Sequence, residues 1–585
     1  MELQHSLRTI PYCKPLRKQY GMVNKYTRTI VAEKLEELNR LQAVYPETSE
    51  RELIEKVGLP RGTLRHWQAR QENIDADPEV VAFFASPAGV AFLHRLVLAA
   101  HFVISFLGVG GVRLVSAFLE LSGLSQFIAS SYSPQRKVSV EIEKQTCAFE
   151  KEEEARLARE MKPQKICIAQ DETEHDQSCL VAIEPVSNYI LLEKYAKNRQ
   201  AETWNQEMAE AVAGKPIEIV LSTSDEGRGI ISHVQNGLGV HHAPDVFHVQ
   251  QEVSRATSGS LAGKIRKVEK EVERAEKKVR QQEMAKEKYY AKKRRPGRPP
   301  NLDRRIKNAK QERKQALESL TMRQEQQERV RKANKAISGV YHPYNLQTGA
   351  AQETETVDEA LRTQFKELET IAEEAGLRKS SRQRIEKAKR VVVGMVATIA
   401  FFWLTVTAKI EALELAEETE RMVFENLLPA YYLSIVAEKT KDIAQREQLK
   451  QRAAELIAAV QNKDSPIQQL SVAEQQTLDT VAWECIHLFQ PSSSCVEGRN
   501  GQLALRHHAL HRLSDQKLNA LKVVHNFHLR RQDGTTAAER FFGQAPRELF
   551  SYLLERVDLP GFPAKKRPHA KQKISLFTSE NACLA

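Results

Sequence analysis

The stretch Lys165-Ile166-Cys167-Ile168-Ala169-Gln170-Asp171-Glu172-Thr173 constrains the fold of this chain more than any other. A short apolar run reads as a strand, and it stops at a carboxylate. Two further strand-like runs follow, Cys179 to Glu184 and Tyr189 to Tyr195, separated by the turn-forming Pro185-Val186-Ser187-Asn188. A helical segment spans about 201–213, and the apolar run Ile217 to Ser224 leads to a second acid, Asp225. Strand, hairpin, helix and strand in succession predict a mixed α and β core with acids at the tips of its first and fourth strands. A fifth strand is expected over Asp245 to Val249. It would bring His248 near those acids, unless that histidine is simply structural.

The chain has 585 residues, enough for three or four domains. A net charge of +11 favours a polyanionic partner, nucleic acid before membrane. The seven cysteines form no Cys-x-x-Cys pair, which argues against a disulfide framework or a structural zinc site. A charged N-terminus without an apolar core, together with the scattered cysteines, predicts a reducing, cytoplasmic and DNA-associated setting. Residues 391–407 carry no charge and approach the length of a membrane span, but a buried helix accounts for them equally well, and no membrane association is expected.

Residues 1–75 read as a basic arm followed by three short helices. Gly58-Leu59-Pro60-Arg61-Gly62 makes the turn before the last of them. Helix, glycine turn and a helix opening on small polar and basic residues form a helix-turn-helix pattern. Arg61, Thr63, Arg65 and His66 would then face base edges and phosphates; a plain three-helix bundle has the same pattern. Residues 76–160 form a second helical module. Val112 to Leu121 and Leu124 to Ser131 meet there at Gly123, suggesting another helix-turn-helix or simply apolar packing, before a charged helical linker.

Acids at strand ends suit phosphoryl chemistry, because two divalent ions roughly 4 Å apart can activate the attacking oxygen and stabilise the leaving one. Magnesium or manganese, two ions, is the cofactor this pattern implies. The order of strands resembles an RNase H-like core, which implies that Asp171 and Asp225, 54 residues apart, lie on neighbouring central strands. A third acid is expected on a returning helix. Ser492-Ser493-Ser494-Cys495-Val496-Glu497-Gly498-Arg499-Asn500 resembles the last acidic motif of DDE-type insertion-sequence transposases. His525-Asn526-Phe527 and the segment from Asp533 to Gly543 resemble the stretch that follows it. By that resemblance Asp171, Asp225 and Glu497 are the metal-binding triad; Arg499 and Asn500, beside the last acid, are expected to contact DNA phosphates or to position the scissile strand. Two rival readings stay open: Glu497 could cap its own helix through Ser494, and Glu484, on an apolar helix expected to be buried, could be the third acid.

The core would thus occupy 161–253 and 481–560, interrupted by an all-α insertion over 254–480. Within 261–340 there are 26 Lys and Arg against 11 Asp and Glu, a local balance of +15. Two long charged helices there flank Lys292-Lys293-Arg294-Arg295-Pro296-Gly297-Arg298-Pro299-Pro300. Proline and glycine stop both helices, so this loop would tip an antiparallel hairpin. It resembles an AT-hook, which implies that Arg295 and Arg298 enter the minor groove of A·T-rich DNA; a solvated basic turn is the plainer alternative. Residues 561–585 form a basic tail. Taken together, the resemblance implies a DNA transposase acting on double-stranded DNA as a homo-oligomer. A non-catalytic descendant that still binds DNA, and a nuclease on the same fold, are the alternatives.

Overall fold

The computed structural model describes residues 27–58, 60–71, 74–175, 177–292, 298, 300–510 and 512–563. The architecture is mixed α and β, mostly helical, with one five-stranded sheet. The chain divides into two compact units, Met1–Phe149 with Glu548–Ala585, and Glu150–Arg547.

In the first unit, α1 (Arg28–Val44), α2 (Glu50–Val57) and α3 (Arg61–Gln71) form the expected three helices. Val31, Leu35 and Leu38 pack on Leu53, Ile54, Val57 and Leu64, with Trp67 closing the cluster. Ser49 caps α2, and Gly58 ends it at φ 73°, a left-handed conformation that glycine adopts without steric cost. Next come α4 (Pro78–Ala85), α5 (Pro87–Phe102) and α6 (Val112–Leu121). The second helix-turn-helix is not formed. After Gly123 only Leu124–Gln126 makes a single 3-10 turn. Leu124, Phe127 and Ile128 are instead buried against residues of α5 and α6, so this apolar run closes a core rather than presenting a helix. A 29-residue helix, α7 (Tyr132–Glu160), follows.

In the second unit, β1 (Gln164–Glu174), β2 (Ser178–Glu184), β3 (Tyr189–Ala196), α8 (Ala201–Val212), β4 (Ile217–Ser224), α9 (Arg228–Ser232) and β5 (His241–Pro244) build the sheet and its connections. The strand order is β3-β2-β1-β4-β5. β2 is antiparallel to both β1 and β3, while β1, β4 and β5 run parallel. Two expectations need correction. β1 does not stop at Asp171 but continues to Glu174, because Glu172, Thr173 and Glu174 keep pairing with β2. β5 ends at Pro244, and the segment expected as a strand over Asp245 to Val249 starts a helix. Asp245 accepts a hydrogen bond from Phe247 N (2.8 Å) as its N-cap, and Val246, Val249 and Val253 recur at helical spacing on its buried face. β-branched residues fit a helix when one of its faces is buried deeply enough to override propensity.

That helix, α10 (Val246–Tyr290), is 45 residues long, and α11 (Leu302–Val340) returns beside it. Ion pairs Lys278–Glu312, Lys310–Glu283 and Lys286–Asp303 set them antiparallel, as expected. The remainder of the interruption is α12 (Thr354–Glu374), α13 (Lys379–Arg390), α14 (Val392–Glu411), α15 (Glu417–Met422), α16 (Leu428–Lys439), α17 (Ile443–Gln461) and α18 (Val472–His487). Pro87–Leu107 and Lys379–Glu411 are long and apolar enough to cross a membrane. In α14, however, Val392, Met395, Ile399, Phe402, Val406 and Ile410 form a buried stripe in the same cluster as Cys167, Leu221 and Ala243 of the sheet. Gly394 lets α14 approach the edge strand, since a Cβ there would lie 2.7 Å from Pro244 Cγ. The insertion and the sheet therefore share one core.

The chain then returns through α19 (Ser494–Leu510), α20 (Asp515–Phe527) and α21 (Ala537–Phe542). Val496, Leu503 and Leu518 pack on Ala169, Cys179, Val181, Ile183 and Ile190. Asn526 of α20 pairs with the edge strand β3, accepting from Ile190 N (2.9 Å) and donating to Ile190 O (3.0 Å). Arg540 donates to Ser187 O in the hairpin turn, and Phe541 stacks on Tyr189. The trailing motifs thus serve to dock the last helices on the sheet.

Candidate active site

The register of β1 and β4 pairs Ala169 with Thr223, which puts Asp171, where β1 runs on past its pairing with β4, beside Asp225 at the carboxyl end of β4. Such ends open onto a crevice where α/β sheets bind ligands. Here the crevice is a cleft of about 890 Å³ lined by Asp171, Asp225, Asp245, His248, Glu497 and Asn500. Chain neighbours do not explain the convergence: β1, β4, the start of α10 and the start of α19 each contribute.

The neck of the insertion holds these pieces in place. Thr223 Oγ1 donates to Gln490 O (2.8 Å), Val246 N donates to Pro491 O (3.0 Å), and Ser493 Oγ donates to the second oxygen of Asp245. The serine-rich entry is thereby pinned to the first turn of α10, which directs Glu497 into the cleft. Glu497 faces His248, with 3.4 Å between Oε1 and Nε2. Ligand atoms of Asp171, His248 and Glu497 all lie within 4.8 Å of one another. Asp225 stands on the same rim, accepting from Gly227 N at 3.0 Å.

Asp171 is buried and accepts a hydrogen bond from Asn500 Nδ2 at 2.9 Å. Burial is the main cause that pushes its carboxyl up to about 7; nearby Glu497 and Asp225 add to the rise, against the Glu172 backbone N–H and His248. Burial also raises Glu172, which Trp204 Nε1 (3.0 Å) and Arg199 (3.4 Å) partly offset. The buried His248 Nε2 and Asn500 Oδ1 have no hydrogen-bond partner. Oxygen-rich ligands around a raised carboxyl, with an orphaned ring nitrogen, fit a divalent cation, because a positive charge would relieve all three carboxylates at once.

Other expected residues are placed differently. Arg499 does not reach the cleft: its guanidinium is buried and holds Glu193 of β3 in two bonds of 2.6 and 2.7 Å. Asn500 is committed to Asp171 rather than lying open to a DNA phosphate. α18 has a buried face in Leu478, Ala482, Cys485 and Ile486, but Glu484 is 55% exposed on it and paired with Lys409 at 2.5 Å, outside the cleft lining. His248 lies in the first turn of a helix, not on a strand. In α3, Arg61, Arg65 and His66 are exposed and Thr63 is half-buried. Arg298 is exposed, whereas Arg295 lies outside the described residues, as do the basic arm through residue 26 and the tail from 564.

Asp245 and Glu193 escaped the sequence reading. Asp245 had a usable signal, a carboxylate directly after Pro244 and two residues before the N–H it caps. Glu193 had none, since its partner is 306 residues away. Among known proteins, residues 423–569 match a family of unknown function (DUF6399). That span contains Glu497, Arg499 and Asn500 but not Asp171, Asp225 or His248. No curated protein matches the chain.

Proposed function

We propose that this protein is a DDE-type DNA transposase with an RNase H-like catalytic core. The observation that carries the reading is the meeting of Asp171, Asp225 and Glu497 in one cleft, although 272 residues separate the last two. β1 and β4 are adjacent and parallel, and neighbouring central strands for Asp171 and Asp225 are what an RNase H-like resemblance implies. Asp171, Asp225 and Glu497 would hold magnesium or manganese, which supplies charge neutralisation at a scissile phosphate and activates an attacking oxygen. The residues of the chain do the positioning. Asn500 orients Asp171, the Arg499–Glu193 pair locks α19 onto β3, and Asp245 with Ser493 fixes the turn from which Glu497 projects. His248, with its Nε2 beside Glu497, is placed to hold or pass a proton at the edge of the site.

The exposed basic surface of α3 and the exposed Arg298 support a double-stranded DNA substrate, bound by a homo-oligomer with one module on the element ends. Strand cleavage of the DNA flanking this gene, measured with magnesium or manganese, tests the reading. The intact protein should nick at the ends of inverted repeats, and Glu497→Gln should lose the nicks by at least about 100-fold while still binding. Metal-dependent cleavage that survives Glu497→Gln would remove that glutamate from the site. Tight end binding without cleavage by the intact protein would favour a non-catalytic descendant.

A further inference from the structure

Next to the acid cleft, and sharing Arg255 with it, lies a groove of about 730 Å³ between α10 and the start of α13. Its lining carries five cations, Arg255, Lys264, Lys267, Arg378 and Arg384, and no acid. Arg255 and Arg384 share one carboxylate, Glu252, at 3.3 Å each. Lys264, Lys267 and Arg378 pair with no carboxylate among the described residues. Elsewhere on the same hairpin, lysines do find acids across the helix pair. Three cations without a carboxylate partner thus line a single acid-free groove where α10 leaves the cleft.

The backbone of α10 changes there as well. Gly259 and Gly263 sit one turn apart in the middle of the helix, and a Cβ at either would meet nothing within 4 Å. Glycine weakens a helix interior relative to alanine, and no neighbour among the described residues needs the space. A bare helix face walled by cations suits the close approach of a polyanion rather than packing within the protein.

We infer that this groove carries the sugar-phosphate backbone of the DNA substrate, delivering the strand past Arg255 to the acids at Asp171 and Glu497. This rests on the DNA-processing reading above and adds the path the substrate takes. Phosphates would lie against Lys264, Lys267 and Arg378, with the strand seated on the glycine face. Contacts of this kind are independent of sequence and strongly dependent on salt.

The experiment measures binding of a labelled duplex oligonucleotide to the full chain across a salt series, by anisotropy, alongside metal-dependent cleavage. Two variants act on different features. Lys264→Gln/Lys267→Gln/Arg378→Gln removes the groove's charge that has no carboxylate partner, and Gly263→Glu puts an acid on the bare face while raising helix propensity, so a loss cannot be blamed on a weaker helix. The triple variant should bind roughly 10-fold more weakly or worse, with a log–log salt slope shallower by about 2 to 3. Gly263→Glu should also bind more weakly, with an unfolding temperature no lower than that of the parent. If both groove variants bind like the parent, the groove is not the DNA path, whether or not the parent cleaves. A parent that binds DNA through the groove but never cleaves keeps this inference and loses the catalytic reading. A parent with no affinity for duplex ends both.

Discussion

The two halves of α10 handle charge in opposite ways. At its start, Asp245 and His248 enter a cleft where carboxylates are grouped, and two of them, Asp171 and Asp245, are buried and held by neutral donors from distant segments. Along its outer half, Lys278 and Lys286 meet Glu312 and Asp303 of α11 in solvent, each pair with at least one partner about half exposed or more. The cleft buries a carboxylate at an energetic cost, whereas the hairpin spreads opposite charge in solvent at almost none. A protein tolerates the first arrangement where something outside the chain will neutralise it. The second needs no such partner and contributes little beyond solubility and orientation.

The contrast is broken most severely at the ion pair supporting the cleft. Arg499→Ala should destabilise the second unit by about 3–5 kcal/mol, since it strands Glu193 in a buried position. Urea unfolding of the full chain measures this, and Arg499→Met/Glu193→Leu should recover much of the loss by removing both charges. A single substitution no worse than the double would mean that the buried pair is not what secures α19.

Inside the cleft, Asp171→Asn should stabilise the metal-free protein. Burial raises the Asp171 carboxyl from 3.8 to about 7, so the native state binds this proton more tightly than the unfolded chain does. Stability is therefore full below pH about 4, falls as pH rises to about 7, and stays reduced above. The amide variant keeps an oxygen for Asn500 and has no charge to desolvate. It should gain up to about 4 kcal/mol at pH 8, with little change at pH 4. Magnesium should stabilise the parent at pH 8 and not the variant. Unfolding midpoints at the two pH values decide it, and a variant weaker than the parent at pH 8 would contradict the picture of a cleft under electrostatic load.

The smallest effect belongs to the hairpin. Lys278→Gln should change stability by less than about 0.5 kcal/mol, although its amine lies 2.7 Å from Glu312, because both side chains are 49% exposed. A loss above about 1 kcal/mol would show that the arm's pairs act as a network and not singly.

Local pattern in the sequence carried a good deal of this. Apolar runs bounded by turn residues marked the strands around Asp171 and Asp225, and helical spacing with Gly58 marked α1 to α3. The prolines and charges around 292–300 marked the stop of α10 and the start of α11. Each is a short-range property, set by propensity, capping or the face a side chain occupies. Where local cues conflicted, the reading failed. Val246 and Val249 suit a strand by type and a helix by spacing, and only burial against the insertion and the Asp245 cap decided for the helix. Leu124 to Ser131 has helical composition but is consumed in closing a core.

What the sequence determined by itself was which residue types stand at strand ends and helix starts. Tertiary structure alone decided which of them meet: Glu497 with His248, Asn500 with Asp171, Arg499 with Glu193 rather than with a phosphate. Each pairing spans hundreds of residues, and it depends on the strand register and on three hydrogen bonds that close the neck of the insertion. No local preference encodes those distances, because they arise only once helices from both sides of the interruption share a core with the sheet.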